Sequence, residues 1–169
     1  MILRIEKADS AAARTIMAAL NADLAGRYPG KPIFGIDAAR FEAEGGVFAL
    51  GYEASEPVAS GALRRYETAA EIKRVFVAPR WRGRGLARRM MAFLEAQAMQ
   101  RGYRRAVLET GSGQPEAISL YRSLGWSEIP PFGIFALEQN GACCNAPGDF
   151  RHVCFEKTLR NEGPCSLVE

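Results

Sequence analysis

Apolar positions along the chain fall into short blocks, and their spacing switches between an alternating and a helical period. The opening "MILRIEKA" reads as a first strand. Ala13, Ile16, Met17 and Leu20 then recur at helical spacing behind a capping Asp9 or Ser10, which predicts a helix through about Ala25. "GRYPGKPIFG" breaks regular structure, and "DAARFEAEGG" predicts a shorter helix ending at Gly45. "GVFALGYEA" and "PVASGALRRYE" flank a "SEP" turn as two hairpin strands, and "AAEIKRVFVAP" is a third, ending at Pro79. A helix from about Arg84 to Gln100 carries Leu86, Met90, Phe93, Leu94 and Gln97 in one stripe, with Gly102 as its stop. "YRRAVLETG" is a strand. "QPEAISLYRSLG" is a helix with Pro115 in its first turn, Gly125 just past its end, and Ala117, Leu120, Tyr121 and Leu124 facing inward. "WSEI" and "RHVCFEKTL" supply two last strands, separated by a loop rich in proline and glycine.

Hairpin strands joined to one strand–helix–strand crossover imply an α/β (α+β) fold. The expected sheet is mixed and mostly antiparallel, of about six or seven strands, with helices on both faces. A sheet that changes from antiparallel to parallel has a natural ligand crevice at the change.

Composition narrows the class. The 169 residues suit one domain, residues 1–169, with residues 161–169 expected as a flexible tail. Apolar residues make up 48% and charged residues 24%, ordinary for a globular protein, and no apolar run approaches the length of a membrane span. Glu6, Lys7, Asp9 and Arg14 interrupt the N-terminal stretch, which argues against a secretory signal and for a cytoplasmic protein. Cys143, Cys144, Cys154 and Cys165 form no C-x-x-C pair, and His152 is the single histidine, so neither a metal site nor a disulfide framework is expected. Net charge is only +3, but ten of the 22 basic residues lie between Lys73 and Arg105, where Glu95 is the lone acid. That excess points to an anionic partner, although Arg88, Arg89, Arg101, Arg104 and Arg105 also suit a solvated face.

The chemistry concentrates in "RVFVAPRWRGRGLARRMM", residues 74–91. A strand feeds a helix whose first-turn N–H groups lack partners and carry the positive end of the helix dipole. Gly83 and Gly85 remove side chains, Ala87 keeps the next position small, and Arg82 and Arg84 add fixed charge. Such a turn suits a phosphate. The nucleotide-binding pattern G-x-x-x-x-G-K-[ST] is absent, and the dinucleotide pattern fails at Arg88, where a glycine belongs.

This segment resembles the acetyl-CoA-binding segment of the GNAT superfamily of N-acetyltransferases, whose R/Q-x-x-G-x-G/A motif falls on Arg82, Gly85 and Ala87. Downstream, "ETGSGQPEAISLYRSLGW" resembles the family's second segment through Ala117, Leu120, Tyr121 and Gly125. Trp126 replaces a usual phenylalanine, and Gln114 replaces an asparagine that contacts the coenzyme in many members. The resemblance implies a crevice between two splayed parallel strands, with acetyl-CoA as co-substrate. Its pyrophosphate would rest on the amides of Arg82, Gly83, Arg84, Gly85, Leu86 and Ala87, and its pantetheine arm along Val75, Phe76 and Val77. One of those amides would polarise the thioester carbonyl.

The implied reaction is transfer of the acetyl group to an amine by direct attack in a ternary complex. A lysine-like amine has a pKa near 10.4, so roughly one molecule in a few thousand is neutral at pH 7 and a base is needed. Glu71 matches the place where family members often put a glutamate; Glu109 on the neighbouring strand is the second candidate, and a water chain the third. Tyr121 matches the family's general acid. His152 reads as structural. The acceptor is a small-molecule amine or a peptide or protein amine, with a homodimer left open and no nucleic-acid or membrane partner. A coenzyme-binding regulatory or sensor module without turnover is the alternative from a different class.

Overall fold

The computed structural model describes residues 1–31, 33, 35–136 and 151–160. The expected tail at 161–169, and the loop cysteines Cys143 and Cys144, lie outside the described residues. Elements run β1 (Ile2–Glu6), α1 (Ala11–Arg27), α2 (Ala38–Ala43), β2 (Val47–Glu53), β3 (Glu56–Tyr66) and β4 (Ala69–Val77). After a 3-10 turn at Pro79–Trp81 come α3 (Leu86–Gln100), β5 (Arg105–Gly111), α4 (Pro115–Ser123), β6 (Ser127–Ile129) and β7 (His152–Thr158). Element order and type agree with the sequence pattern, and boundaries shift by a few residues. Ser10 caps α1, its hydroxyl accepting from the Ala13 N–H at 3.1 Å.

The strands form one seven-stranded sheet in the order β1-β2-β3-β4-β5-β7-β6. Every neighbouring pair is antiparallel except β4 with β5. Helices α1 and α2 cover one face, where Ile16, Leu20 and Phe41 pack on Phe48, Leu50 and Phe76. Helix α3 covers the other, where Met90, Met91 and Leu94 pack on Val47, Val58 and Ile72, and Tyr121 of α4 joins them. Strand β2 is therefore buried on both sides, which is why its sequence reads as an unbroken apolar run. At Gly61 an added Cβ would lie 2.6 Å from Leu94 Cδ1, so α3 sits directly against the backbone of β3. Truncating Leu94, which is fully buried, would cost about 2–5 kcal/mol.

Two irregularities in β4 open the middle of the sheet. It pairs with β5 over only three positions, Ala70 with Ala106, Glu71 with Val107 and Ile72 with Leu108. Beyond Ile72 the two strands part, each following its other neighbour. The register with β3 also shifts between Ser60 and Ala62, and Arg74 takes φ +56°, the left-handed region. This bulge resets the alternation. Lys73 faces the α1 side with Glu71, while Val75 and Val77 rejoin Ile72 on the α3 side and Phe76 turns toward α1.

Candidate active site

The parting of β4 and β5 opens a cavity of about 410 Å³. Its floor is Ile72 to Val75 on one strand and Glu109 to Gly111 on the other. Leu20 and Leu24 of α1 cover it, and Gln114 and Tyr121 of α4 and His152 of β7 close it. Its volume, and a lining that mixes apolar side chains with charged and hydrogen-bonding ones, suit a small-molecule site.

The chain leaves β4 through the turn into α3. Gly83 and Gly85 have φ of +75° and +72°, and Gly85 is the N-cap of α3 without any side-chain cap. A Cβ at either position would meet no protein atom within 4 Å. Within the protein, then, these glycines are required by backbone conformation; the room they leave faces outward, in front of the first-turn amides. The arginines around the turn have internal partners. Arg82 donates to the Val77 carbonyl at 3.0 Å and to Asp23 of α1 at 2.9 Å. Arg84 stacks over Trp81, 4.6 Å from the ring centre. Arg88 donates to Ser123 Oγ and Arg89 to the Met1 carbonyl. Much of the basic excess seen in the sequence is thus structural. Asp23 is partly buried, which alone would raise its pKa, but the hydrogen bonds from Arg82 and Arg27 prevail and hold it below the ordinary value.

The candidate chemical groups separate clearly. Glu71 is fully buried and paired with Arg64 and, at 2.8 Å, with Lys73. It does not line the cavity; Lys73 does. Glu109 lines the cavity, and its Oε1 lies 2.7 Å from Nδ1 of His152. His152, read from sequence as structural, is thus brought to the cavity wall beside a carboxylate. Strand register explains it: Gly111 pairs with His152 and Glu109 with Cys154, placing the two side chains on neighbouring strands at the open end of β5. With one histidine and no local motif around it, the sequence offered no signal for this contact.

Tyr121 sits between Trp126 and Phe155, with ring centres 6.4 and 5.7 Å away. Burial, and then the charge of Glu109, push its pKa up, so the phenol keeps its proton at neutral pH. Trp126, the departure from the usual phenylalanine, has a visible reason. Its indole N–H donates to Glu95 of α3 at 3.0 Å, and Glu95 also accepts from Lys157 of β7. Gln114 is the N-cap of α4 and lines the cavity together with Tyr28. Val75 lines the cavity, Phe76 packs toward α1, and the Val77 carbonyl is held by Arg82. Beyond Ile72, β4 has a strand neighbour on one side only, which leaves its other edge open to an extended partner. No helix among the described residues is long and apolar enough to cross a membrane.

Fold and site together define a mixed-sheet domain with a cavity along an open β4 edge and, where the chain leaves β4, a bare helix N-terminus. Residues 14–126 match the family model described as the acetyltransferase (GNAT) family, and the chain belongs to that family. A curated relative, the IAA acetyltransferase of Azospirillum brasilense, is 41% identical over 38% of this chain and 42% of its own. The chain spans less than half the length of the curated relatives it matches. Among solved structures, an acyl-CoA N-acyltransferase from Klebsiella pneumoniae is similar with a TM-score of 0.74 and 26% identity, over 94% of this chain and 97% of that one. A GNAT acetyltransferase from Elizabethkingia anophelis, solved with acetyl-CoA bound, superposes with a TM-score of 0.60 at 16% identity, over 78% of this chain and 94% of that one.

Proposed function

We propose that the chain transfers the acetyl group of acetyl-CoA to an amine by direct attack in a ternary complex. The observation that carries this reading is one cavity that gathers Glu109, His152 and Tyr121 along the open edge of β4, the strand that leads on into the bare N-terminus of α3. The donor set fits the coenzyme. First-turn amides and two left-handed glycines suit a pyrophosphate, and an unpaired strand edge suits an amide-bearing arm. Residues 82–87 would hold the phosphates and Val75 to Val77 the arm, with Gln114 at the rim. Bound there, acetyl-CoA supplies an activated acyl group with a thiolate as leaving group.

The chain's own residues do the rest. An ammonium acceptor must lose a proton before it attacks, and the Glu109–His152 pair is the base that reaches the cavity. Glu71 is the weaker candidate, because Arg64 and Lys73 already hold its carboxylate. A β4 amide donates to the carbonyl oxygen as negative charge develops there. As the C–S bond breaks, Tyr121 donates a hydrogen bond to the sulfur. Its raised pKa makes outright ionisation of the phenol unfavourable, so the proton that ends on sulfur is relayed from the attacking nitrogen through Tyr121. The balance is one acetyl moved from sulfur to nitrogen, one proton on the thiol and one released to solvent.

Thiol release from acetyl-CoA across an amine library, with products confirmed by a gain of one acetyl mass, tests the reading. Coenzyme binding without thiol release for any amine would replace it with a sensor function.

A further inference from the structure

The charges that line the cavity are unbalanced. Among the described residues that line it, Lys31, Lys73 and Arg74 are cationic, and Glu109 is the single carboxylate. Two of these groups have partners: Lys73 has Glu71, and Glu109 has His152. Arg74 has none of opposite charge among the described residues. Its single side-chain hydrogen bond goes from Nη1 to the neutral Asn21 Oδ1, at 3.2 Å. Burial lowers its pKa from the ordinary value.

Its backbone is as unusual as its charge. Arg74 is the non-glycine residue within a strand, among those described, that adopts positive φ. A long side chain is a poor occupant of the left-handed region, and such outliers persist where the surroundings enforce them. Here Ser60, fully buried, donates its hydroxyl to the Arg74 carbonyl at 2.9 Å and fixes the bulge. The bulge delivers the guanidinium to the α1 side of the cavity, where Asn21 orients it. A half-buried guanidinium with most of its donor fork unused among the described residues is a receptor for a carboxylate.

Resting on the acetyl-transfer reading, we propose that the acceptor is a free α-amino acid with an apolar or aromatic side chain, its carboxylate held by Arg74 and its amine turned toward Glu109 and His152. Leu20, Leu24, Ile33, Ile134 and Phe135 provide the apolar wall for such a side chain. A polyamine or an aminoglycoside would bring more positive charge to a cavity whose described lining is already in cationic excess, with Glu109 as its one carboxylate.

Matched acceptors test this without any mutation. Thiol release is measured for leucine against 3-methylbutylamine, for phenylalanine against phenethylamine, and for each amino acid against its carboxamide. The acids should exceed the amines and carboxamides in kcat/KM by roughly 10- to 100-fold, with most of the difference in KM. Arg74→Asn retains a side chain that tolerates positive φ. It should erase that preference and leave the KM for acetyl-CoA within about twofold, while Arg74→Lys retains part of it. The proposal is overturned if amines or carboxamides match the acids, if no amino acid is accepted, or if Arg74→Asn raises the KM for acetyl-CoA and leaves the acid preference intact. The melting temperature with acetyl-CoA separates the two levels: a shift without amino-acid turnover sinks the acceptor class alone, and the absence of a shift sinks the acetyl-transfer reading with it.

Discussion

The two sides of the β4–β5 opening are built on different principles. The α3 side presents backbone: amides of the first helical turn, two glycines at positive φ and one open strand edge. The α1 side presents side chains drawn from distant parts of the chain, including Leu24, Arg74, Glu109 and His152. A backbone cradle must be continuous in sequence, so it leaves a motif. A side-chain pocket is assembled by tertiary contacts, so each member can change alone and no motif marks it.

Substitutions on each side should therefore fail in different ways. The largest effect belongs to Gly85→Glu, which forces a side chain into the left-handed region and a negative charge in front of the amides. Thiol release should fall by more than about 100-fold through loss of coenzyme affinity, since removal of preorganised donors costs that much. Acetyl-CoA binding retained by that variant would break the distinction between the two sides.

Next is Tyr121→Phe, where only the hydroxyl is lost from a buried ring. The turnover number should drop by about 10²-fold or more with an unchanged KM for acetyl-CoA. An unchanged turnover number would remove Tyr121 from the reaction.

The two glutamates sharpen the comparison further. Glu109→Gln and His152→Ala should each lower kcat/KM by at least about tenfold with little change in melting temperature. Glu71→Gln should do the reverse. It leaves the buried junction between Arg64 and Lys73 without its charge and should destabilise the fold by about 1–2 kcal/mol, discounted for partners that are partly exposed. Turnover lost with Glu71 and kept with Glu109 would exchange their roles.

The smallest effect is a pH dependence. Asp23 has a lowered pKa when folded, so the stability it contributes is present above its unfolded pKa and is lost as pH falls through the folded one. Asp23→Asn should flatten the acid limb of the stability curve below about pH 4. It should also loosen Arg82, which ties α1 to the end of β4. An unaltered acid limb would show that this ion pair contributes nothing measurable.

Legibility in the sequence divides along the same line. Periodicity and turn residues were enough for the order of strands and helices, because each element carries its own apolar pattern. The turn at 82–87 was legible because its backbone cradle is a single continuous segment. Invisible was the bulge at Arg74, since a left-handed arginine has no local signature and "VFV" reads as a plain strand. The destination of the arginines was equally hidden, because Asp23 lies 59 positions from Arg82. Glu71 and Glu109 were indistinguishable as letters on neighbouring strands; Glu71 lies where β4 and β5 are still paired and is held by Arg64 and Lys73, whereas the splay beyond Ile72 opens Glu109 to the cavity.

Melting the wild-type protein with and without acetyl-CoA tests the central claim most directly. At a hundredfold excess over the dissociation constant, binding adds about 2.7 kcal/mol. For a chain of this size that should raise the melting temperature by roughly 5–10 °C. A rise of that order, absent in Gly85→Glu, is the predicted result; no rise at millimolar acetyl-CoA would contradict the account.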